Sequence, residues 1–328
     1  MMSGMRRIAR RAGSGLALAA LTLSLATVTS AVTSTTSAHA GVAPPRNRSD
    51  LAAGGFTGLG TWVDAYDFSR EFAEPATPTV TPAHVDVMWQ AGVKTIYIQA
   101  SKFGPKSRGD LLSPDLLGQF LGRAHYRGMR VVAWYLPSFG NISDDLRRFV
   151  AIRNFRDAGG QRFDAIGVDI EWRGDVPNHD TRNARLIDLT KRLRTAVPDI
   201  PLSAIVLPPV VTDVINRAYW PRFPWQTLRP YYDVWQPMAY WTNRKAGTQW
   251  RNAYTYTYEN IRLTRKNLAS PYAPVSIAGG IGDTATKRDY EDFIRGAKAQ
   301  HSIGASIYDW RTTASSAYAV LRGAPTRY

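Results

Sequence analysis

The chain of 328 residues contains no cysteine, so disulfide bonds cannot stabilise it and its stability has to come from the size of its core. Its five histidines show no H-E-x-x-H or similar ligand spacing, so neither a metal site nor a cofactor is predicted. The motifs G-x-S-x-G and G-x-x-x-x-G-K-[ST] are also missing. The sequence therefore contains no motif that would indicate a serine hydrolase or a nucleotide triphosphatase.

The N-terminal segment has the order of features that is typical of a secretory signal peptide. Four arginines between residues 6 and 11 precede an apolar stretch from about Gly15 to Val28, and Ala38-His39-Ala40 forms an A-x-A cleavage site. The apolar stretch is short and contains Thr and Ser, so a permanent membrane span is not expected. The sequence therefore predicts a protein that is secreted after cleavage near Ala40.

Three segments are predicted: a signal peptide over 1–40, a short leader over 41–50 and one folded domain over 51–328. Basic residues outnumber acidic residues by 41 to 26, and the formal charge of +15 falls to +11 without the signal peptide, which carries four arginines and no acid. The basic residues are scattered and lack interleaved aromatics, so no nucleic-acid partner is predicted. We expect a monomer whose basic surface attracts an anionic cell-wall or extracellular polymer.

Short β-branched or aromatic runs recur every 30 to 40 residues, and segments of helical period follow them. Eight strands are predicted, over Gly60–Asp64, Lys94–Ala100, Arg130–Leu136, Ala165–Glu171, Pro201–Val206, Asp233–Tyr240, Pro274–Ala278 and Ala305–Asp309. The predicted helices cover 82–91, 114–127, 144–158, 182–196, 210–219, 249–267, 288–300 and 313–321. Eight such units in about 270 residues favour a single (β/α)8 barrel, the TIM-barrel fold of the α/β class. A doubly wound sheet is disfavoured because no G-x-G-x-x-G follows the first strand.

The strongest chemical signal is the run from Phe163 to Trp172, an apolar strand that ends in Asp169 and Glu171. Alternation along a strand places both carboxyl groups on the same face, at the end where such barrels carry their active sites. Two buried acids side by side raise the pKa of at least one of them, which gives a general acid at neutral pH.

The other strand ends are polar and aromatic, a combination that suits a sugar, because pyranose rings stack on aromatics while acids and amides bind hydroxyls. We therefore predict a poly- or oligosaccharide substrate. The predicted substrate-binding residues are Asp64, Tyr97, Gln99, Trp134, Gln236, Met238, Trp241, Asp309 and Trp310.

The segment DAIGVDIE resembles the fourth-strand motif D-x-x-D-x-D-x-E of glycoside hydrolase family 18, the chitinases and related N-acetylglucosaminidases. Asp164, Asp169 and Glu171 match this motif, whereas Gly167 replaces one of its acids. The run Gln236 to Tyr240 is similar to that family's M-x-Y-D, with Trp241 in place of the final acid, and Ser306 to Trp310 resembles its last strand.

The resemblance implies a secreted, chitinase-like glycosidase of the TIM-barrel fold. It implies that Glu171 is the general acid and base, that Asp169 stays ionised and stabilises the intermediate, and that Tyr240 binds the acetamido carbonyl of the substrate. In this substrate-assisted route Trp310 forms the floor of the reactive subsite.

Two alternatives remain open at this stage. In one, Glu171 works with Asp64 across the barrel, as in the family 25 lysozymes, on a sugar that needs no acetamido group. In the other, the protein is a secreted barrel that binds glycans without cleaving them.

Overall fold

A computed structural model of the protein describes residues 55–73 and 77–326. Eight parallel strands close into a barrel in which each strand pairs with the next one and the eighth pairs with the first. The strands are β1 (Gly58–Val63), β2 (Thr95–Gln99), β3 (Arg130–Tyr135), β4 (Ala165–Ile170), β5 (Leu202–Val206), β6 (Val234–Ala239), β7 (Ser276–Gly280) and β8 (Gly304–Tyr308). The predicted (β/α)8 barrel is confirmed, and the predicted strand boundaries are at most two residues from those observed.

Helices follow the strands on the outside of the barrel. They are α1 (Ala65–Phe68), α2 (His84–Gln90), α3 (Pro114–Tyr126), α4 (Ile142–Asn154), α5 (His179–Ala196), α6 (Trp225–Leu228), α7 (Ala253–Asn267), α8 (Lys287–Ala299) and α9 (Tyr318–Leu321). The segment predicted as a helix over 210–219 is instead a π-helix over Val210–Ile215. The four-residue helices α1 and α6 were not predicted, because one turn is too short to show a helical period. The predicted signal peptide and leader lie outside the described residues.

Polar side chains cap the first turns of four long helices, α4, α5, α7 and α8. Asn141, Asn178 and Asn252 precede α4, α5 and α7, and each side chain accepts a hydrogen bond from a backbone N–H of the first turn. Thr286 and Asp289 form a reciprocal capping box at the start of α8. These caps fix where the helices begin, and hence the length of the loops that follow the strands.

The core has two layers, because alternate side chains of each strand point to opposite sides of the barrel wall. One set packs against the surrounding helices in a single apolar cluster that includes Ile96, Val131 and Ile166. Such a core serves the cysteine-free chain in place of disulfides. Within the described ranges, no helix has both the length and the apolar character needed to cross a membrane.

The other set fills the barrel itself with aromatic rings. Trp62 stacks on Tyr97 with 4.4 Å between ring centroids, and it meets Trp134 in an edge-to-face arrangement with 5.9 Å between ring centroids. The indole Nε1 of Trp62 donates a hydrogen bond of 2.9 Å to Ser306 Oγ of β8. This packed floor excludes water from beneath the strand ends.

Gly167 lies where the barrel filling leaves no room for a side chain. A Cβ atom there would lie 2.9 Å from Ile205 Cδ1 and 3.1 Å from Trp134 Cβ, closer than such atoms normally approach. The aspartate that the resembled motif carries at this position therefore does not fit into this barrel as it is packed.

We predict that Gly167→Ala destabilises the protein by about 1–3 kcal/mol, the usual cost of overpacking. The control is Gly109→Ala, because nothing lies within 4 Å of a Cβ atom at that position. Denaturant unfolding of both variants measures the difference. Equal stability of the two variants would show that the barrel interior relaxes freely around position 167.

Candidate active site

Asp169 and Glu171 lie at the C-terminal end of β4. Because alternate residues of a strand point to the same face, both carboxyl groups are directed toward the mouth of the barrel. The side chain of Asp169 is 6% exposed and that of Glu171 is partly exposed. No residue in the described part of the chain donates a hydrogen bond to either group. Without such donors, burial strongly disfavours the ionised forms.

Burial raises the pKa of Glu171 to about 7, and it raises the pKa of Asp169 well above its usual value. The charge of Glu171 adds to the rise at Asp169. The two groups therefore behave as one pair that shares a proton near neutral pH.

Tyr240, at the end of β6, is near enough to this pair for the charges of Glu171 and Asp169 to act on its hydroxyl. Burial, followed by the charges of Glu171 and Asp169, holds the pKa of its hydroxyl well above the usual value. The hydroxyl is therefore a hydrogen-bond donor over the whole physiological pH range. Its ring lies 5.7 Å from that of Tyr308, which connects the β4 side of the mouth to the β8 side.

Three further acids, Asp64, Asp67 and Asp309, cluster at the ends of β1 and β8. Asp64 Oδ1 caps α1 by accepting hydrogen bonds from two backbone N–H groups, and its Oδ2 accepts a bond of 2.8 Å from the hydroxyl of Tyr308. Asp67 pairs with Arg311 at 3.1 Å. Burial is the largest cause of the raised pKa values of all three acids, about 8 for Asp67 and about 6 for Asp309.

One carboxyl oxygen from each of these three acids lies within 4.8 Å of the other two, so the cluster is compact enough to hold a metal ion. Most of their oxygens already have partners, since Asp309 Oδ1 accepts hydrogen bonds from Thr312 and Asp67 pairs with Arg311. One oxygen, Asp67 Oδ2, is buried with no partner in the described part of the chain. Arg311 offsets part of the negative charge of this cluster, and the raised pKa values favour protonated carboxyl groups within it.

Lys102 is a functional candidate that the sequence analysis missed. It lies three residues beyond the end of β2, and its Nζ is 5.3 Å from the ring centroid of Tyr66, 5.5 Å from Phe72 and 5.9 Å from Phe103. Its positive charge acts on the carboxyl groups of three site acids, Asp64, Asp169 and Glu171. A search that extended from the strand ends into the following loops would have found it.

The predicted sugar-binding residues lie at different depths. Tyr97 and Gln236 are 1% and 0% exposed and belong to the barrel filling. Gln99 accepts a hydrogen bond of 2.9 Å from the backbone N–H of Ala65 and so positions α1. Trp134 and Met238 are 6% and 3% exposed, and the indole N–H of Trp134 has no partner in the described chain.

Trp241 does not lie at the site, so its predicted contact with substrate is wrong. The residue is fully buried, and its ring packs against Phe293 of α8 at 5.1 Å. The chain turns into a 3-10 helix over Trp241–Asn243 directly after β6, and this directs the side chain away from the barrel mouth.

Trp310 is partly exposed, but its ring packs against Tyr318 at 5.1 Å and joins the outer apolar layer. The described contacts do not bring it to Asp169 and Glu171. Asp164, the first acid of the motif, lies at the opposite end of β4, where it accepts hydrogen bonds from His125 and the backbone N–H of Val131. Asp164 therefore anchors the base of the strand.

No family model and no curated protein matches the sequence. Solved structures do share its fold. The endo-1,4-β-D-mannanase of Thermotoga petrophila RKU-1 has a TM-score of 0.56 at 10% identity, over 77% of this chain and 88% of the mannanase. The spore cortex-lytic enzyme SleL of Bacillus cereus has a TM-score of 0.56 at 12% identity, over 83% and 75% of the two chains.

A family 18 chitinase of Cycas revoluta, solved in complex with allosamidin, is similar with a TM-score of 0.53 at 10% identity. The match covers 80% of this chain and 97% of the chitinase. The resemblance to glycoside hydrolase barrels, family 18 among them, is thus confirmed at the level of the fold.

The raised pKa of Asp67 predicts how the stability of the protein depends on pH. Because the folded state raises the pKa of Asp67 from 3.8 to about 8, it binds this proton more tightly than the unfolded state does. The free energy of unfolding should therefore fall as the pH rises from about 4 to about 8. Asp67→Asn removes the titrating group while its side-chain oxygen can still accept a hydrogen bond from Arg311, so we expect a flatter pH dependence of Tm between pH 5 and pH 8.

The matched control is Asp188→Asn, which removes an exposed carboxylate that pairs with Arg192 on the surface of α5. This control should keep the wild-type slope. An unchanged slope in Asp67→Asn would contradict the view that Asp67 is protonated in the folded protein.

Proposed function

We propose that the protein is a secreted glycoside hydrolase that cleaves a poly- or oligosaccharide, with Glu171 as its general acid. The observation that carries this proposal is the pair of buried Asp169 and partly exposed Glu171 at the C-terminal end of β4, which accepts no hydrogen bond from the described chain and whose charges act on the hydroxyl of Tyr240. The pKa of about 7 for Glu171 suits a group that must give up a proton near neutral pH.

Cleavage would begin when Glu171 donates its proton to the glycosidic oxygen as the bond to the anomeric carbon breaks. On an N-acetylated sugar, the acetamido oxygen of the substrate attacks the anomeric carbon, and Tyr240 donates a hydrogen bond to that acetamido group. Asp169 then stabilises the positive charge that develops on the intermediate. Glu171, now ionised, takes a proton from the water that releases the product.

The contacts favour this route over a nucleophilic role for Asp64. Both oxygens of Asp64 already accept hydrogen bonds, from the first turn of α1 and from Tyr308. These bonds stabilise the carboxylate and reduce its nucleophilicity. Tyr240, in contrast, lies beside the acid pair that the acetamido route requires.

The structural neighbours support the glycan part of the proposal, since they include a mannanase, a chitinase and a cortex-lytic enzyme. Secretion rests on the signal-peptide features of residues 1–40. The excess of basic residues would then attract the enzyme to anionic polymers of a cell wall, where long-range charge increases the rate of encounter.

We predict that Glu171→Gln lowers turnover by about 10²- to 10⁴-fold, because glutamine cannot donate the proton. Purified mature protein would be assayed on chitin, peptidoglycan and neutral glycans between pH 4 and pH 9. Wild-type activity should decline as the pH rises through about 7, where Glu171 loses its proton.

The control is Glu291→Gln on the exposed face of α8, which should retain wild-type turnover. Unchanged turnover in Glu171→Gln would refute the general-acid assignment. Binding of a glycan without turnover in the wild type would identify a binding protein.

A second prediction separates the two catalytic routes. Tyr240→Phe removes only the hydroxyl, so turnover of N-acetylated glycans should fall by about tenfold or more, while neutral glycans should be affected less. Asp64→Asn can still cap α1 and should lose less activity than Glu171→Gln. If Asp64→Asn is instead as inactive as Glu171→Gln and Tyr240→Phe is fully active, Asp64 is the second catalytic carboxylate.

A further inference from the structure

Lys102 is placed where its ammonium group can act inside the barrel mouth. The rings of Tyr66, Phe72 and Phe103 lie within 5.9 Å of Nζ and provide favourable cation–π contacts. The Ser107 hydroxyl donates a hydrogen bond to the backbone carbonyl of Lys102, which holds the loop in place. These contacts orient the ammonium group of Lys102. The three surrounding rings are uncharged, so they do not neutralise it.

The loop that carries Lys102 packs against the end of β4. The ring of Phe103, one of the three rings around Nζ, lies 5.4 Å from the ring of Trp172, centroid to centroid, and Trp172 directly follows Glu171. The cation is thereby held on the side of the mouth where the acid pair lies.

The carboxyl groups on which this cation acts come from two strand ends. Asp64 follows β1, and Asp169 and Glu171 lie at the end of β4. Tyr240 also borders the acid pair, but its hydroxyl stays protonated. Asp64 has three other hydrogen-bond donors, whereas the acid pair has none in the described part of the chain.

The second cation of the mouth does not replace Lys102. Arg311 donates to Asp67 and acts on Asp309, both of which belong to the cluster at the ends of β1 and β8. Lys102 is the cation of the described chain that favours the ionised forms of both Asp169 and Glu171. Lys102 therefore opposes the larger effect of burial, which favours the protonated forms of both acids.

We propose that Lys102 is a positioning residue that keeps the Asp169–Glu171 pair singly protonated at the pH of catalysis. This proposal rests on the proposed function of the pair. With the cation present, one of the two carboxyl groups can ionise while the other keeps its proton. Without it, burial would leave both protonated over the neutral range, and the carboxylate that stabilises the intermediate would be lost.

The sign of the effect follows from electrostatics. A nearby positive charge lowers the pKa of a carboxyl group, so its removal raises both macroscopic pKa values of the pair. Both limbs of the bell-shaped pH profile should then move to higher pH, by about 1 unit for one cation at short range. A residue that only supports the loop would lower activity at every pH without moving the profile.

The test compares Lys102→Met and Lys102→Gln, which remove the charge, with Lys102→Arg, which keeps it. Lys106→Met is the matched control, because Lys106 is an exposed lysine of the same loop. Each variant is assayed across pH 4 to 9 on the best substrate. In parallel, the carboxyl titration is followed by NMR in protein labelled with ¹³C at the Asp and Glu side chains, with Glu171→Gln and Asp169→Asn assigning the signals.

We expect the two neutral variants to shift the activity profile and the carboxyl titration upward, and Lys102→Arg and Lys106→Met to leave both in place. A titration that is unchanged in both neutral variants would overturn the proposal. If the wild type cleaves none of the glycans, the proposed function fails, but the NMR titration still decides whether Lys102 controls the pair. Thermal unfolding of each variant separates a loss of charge from a loss of fold.

Discussion

Burial of carboxyl groups is the constraint on which the barrel mouth depends. The floor made of Trp62 and Trp134 removes water from beneath the strand ends, and an ionised acid there loses most of its hydration. Asp169 and Glu171 have no protein donors to compensate for this loss, so they retain protons at a pH where exposed acids do not. The aromatic packing of the barrel thus determines the acid chemistry above it.

Two groups of acids share the mouth and are stabilised in different ways. Asp64, Asp67 and Asp309 are fixed by helix N–H groups, Tyr308 and Arg311, and these bonds hold them in place. The pair at the end of β4 is bordered by a single cation and a neutral hydroxyl, which leaves its oxygens free to meet a ligand. This difference separates acids that organise the mouth from acids that can exchange protons.

The sequence predicted the fold and the place of the acid pair at the end of β4, because strand periodicity determines both the barrel and the direction of alternate side chains. It failed where the chain leaves the strands. Trp241 follows β6 by two residues, but a 3-10 turn reverses the direction expected from alternation. Lys102 and Asp67 lie on loop and short-helix positions, where no period indicates which way a side chain points. Their roles emerge only when β1, β2 and β8 are brought side by side.

The departure at Gly167 and the presence of Lys102 are consistent with each other. An aspartate at position 167 would add negative charge below Asp169, and the close approach of Ile205 and Trp134 leaves no space for it. Such a charge would raise the pKa of Asp169 further and keep the pair fully protonated. Apolar atoms fill this space instead, and they do not stabilise an ionised carboxyl group. A cation at the rim is therefore needed so that one acid of the pair can ionise. Lys102 supplies that charge from the loop that follows β2.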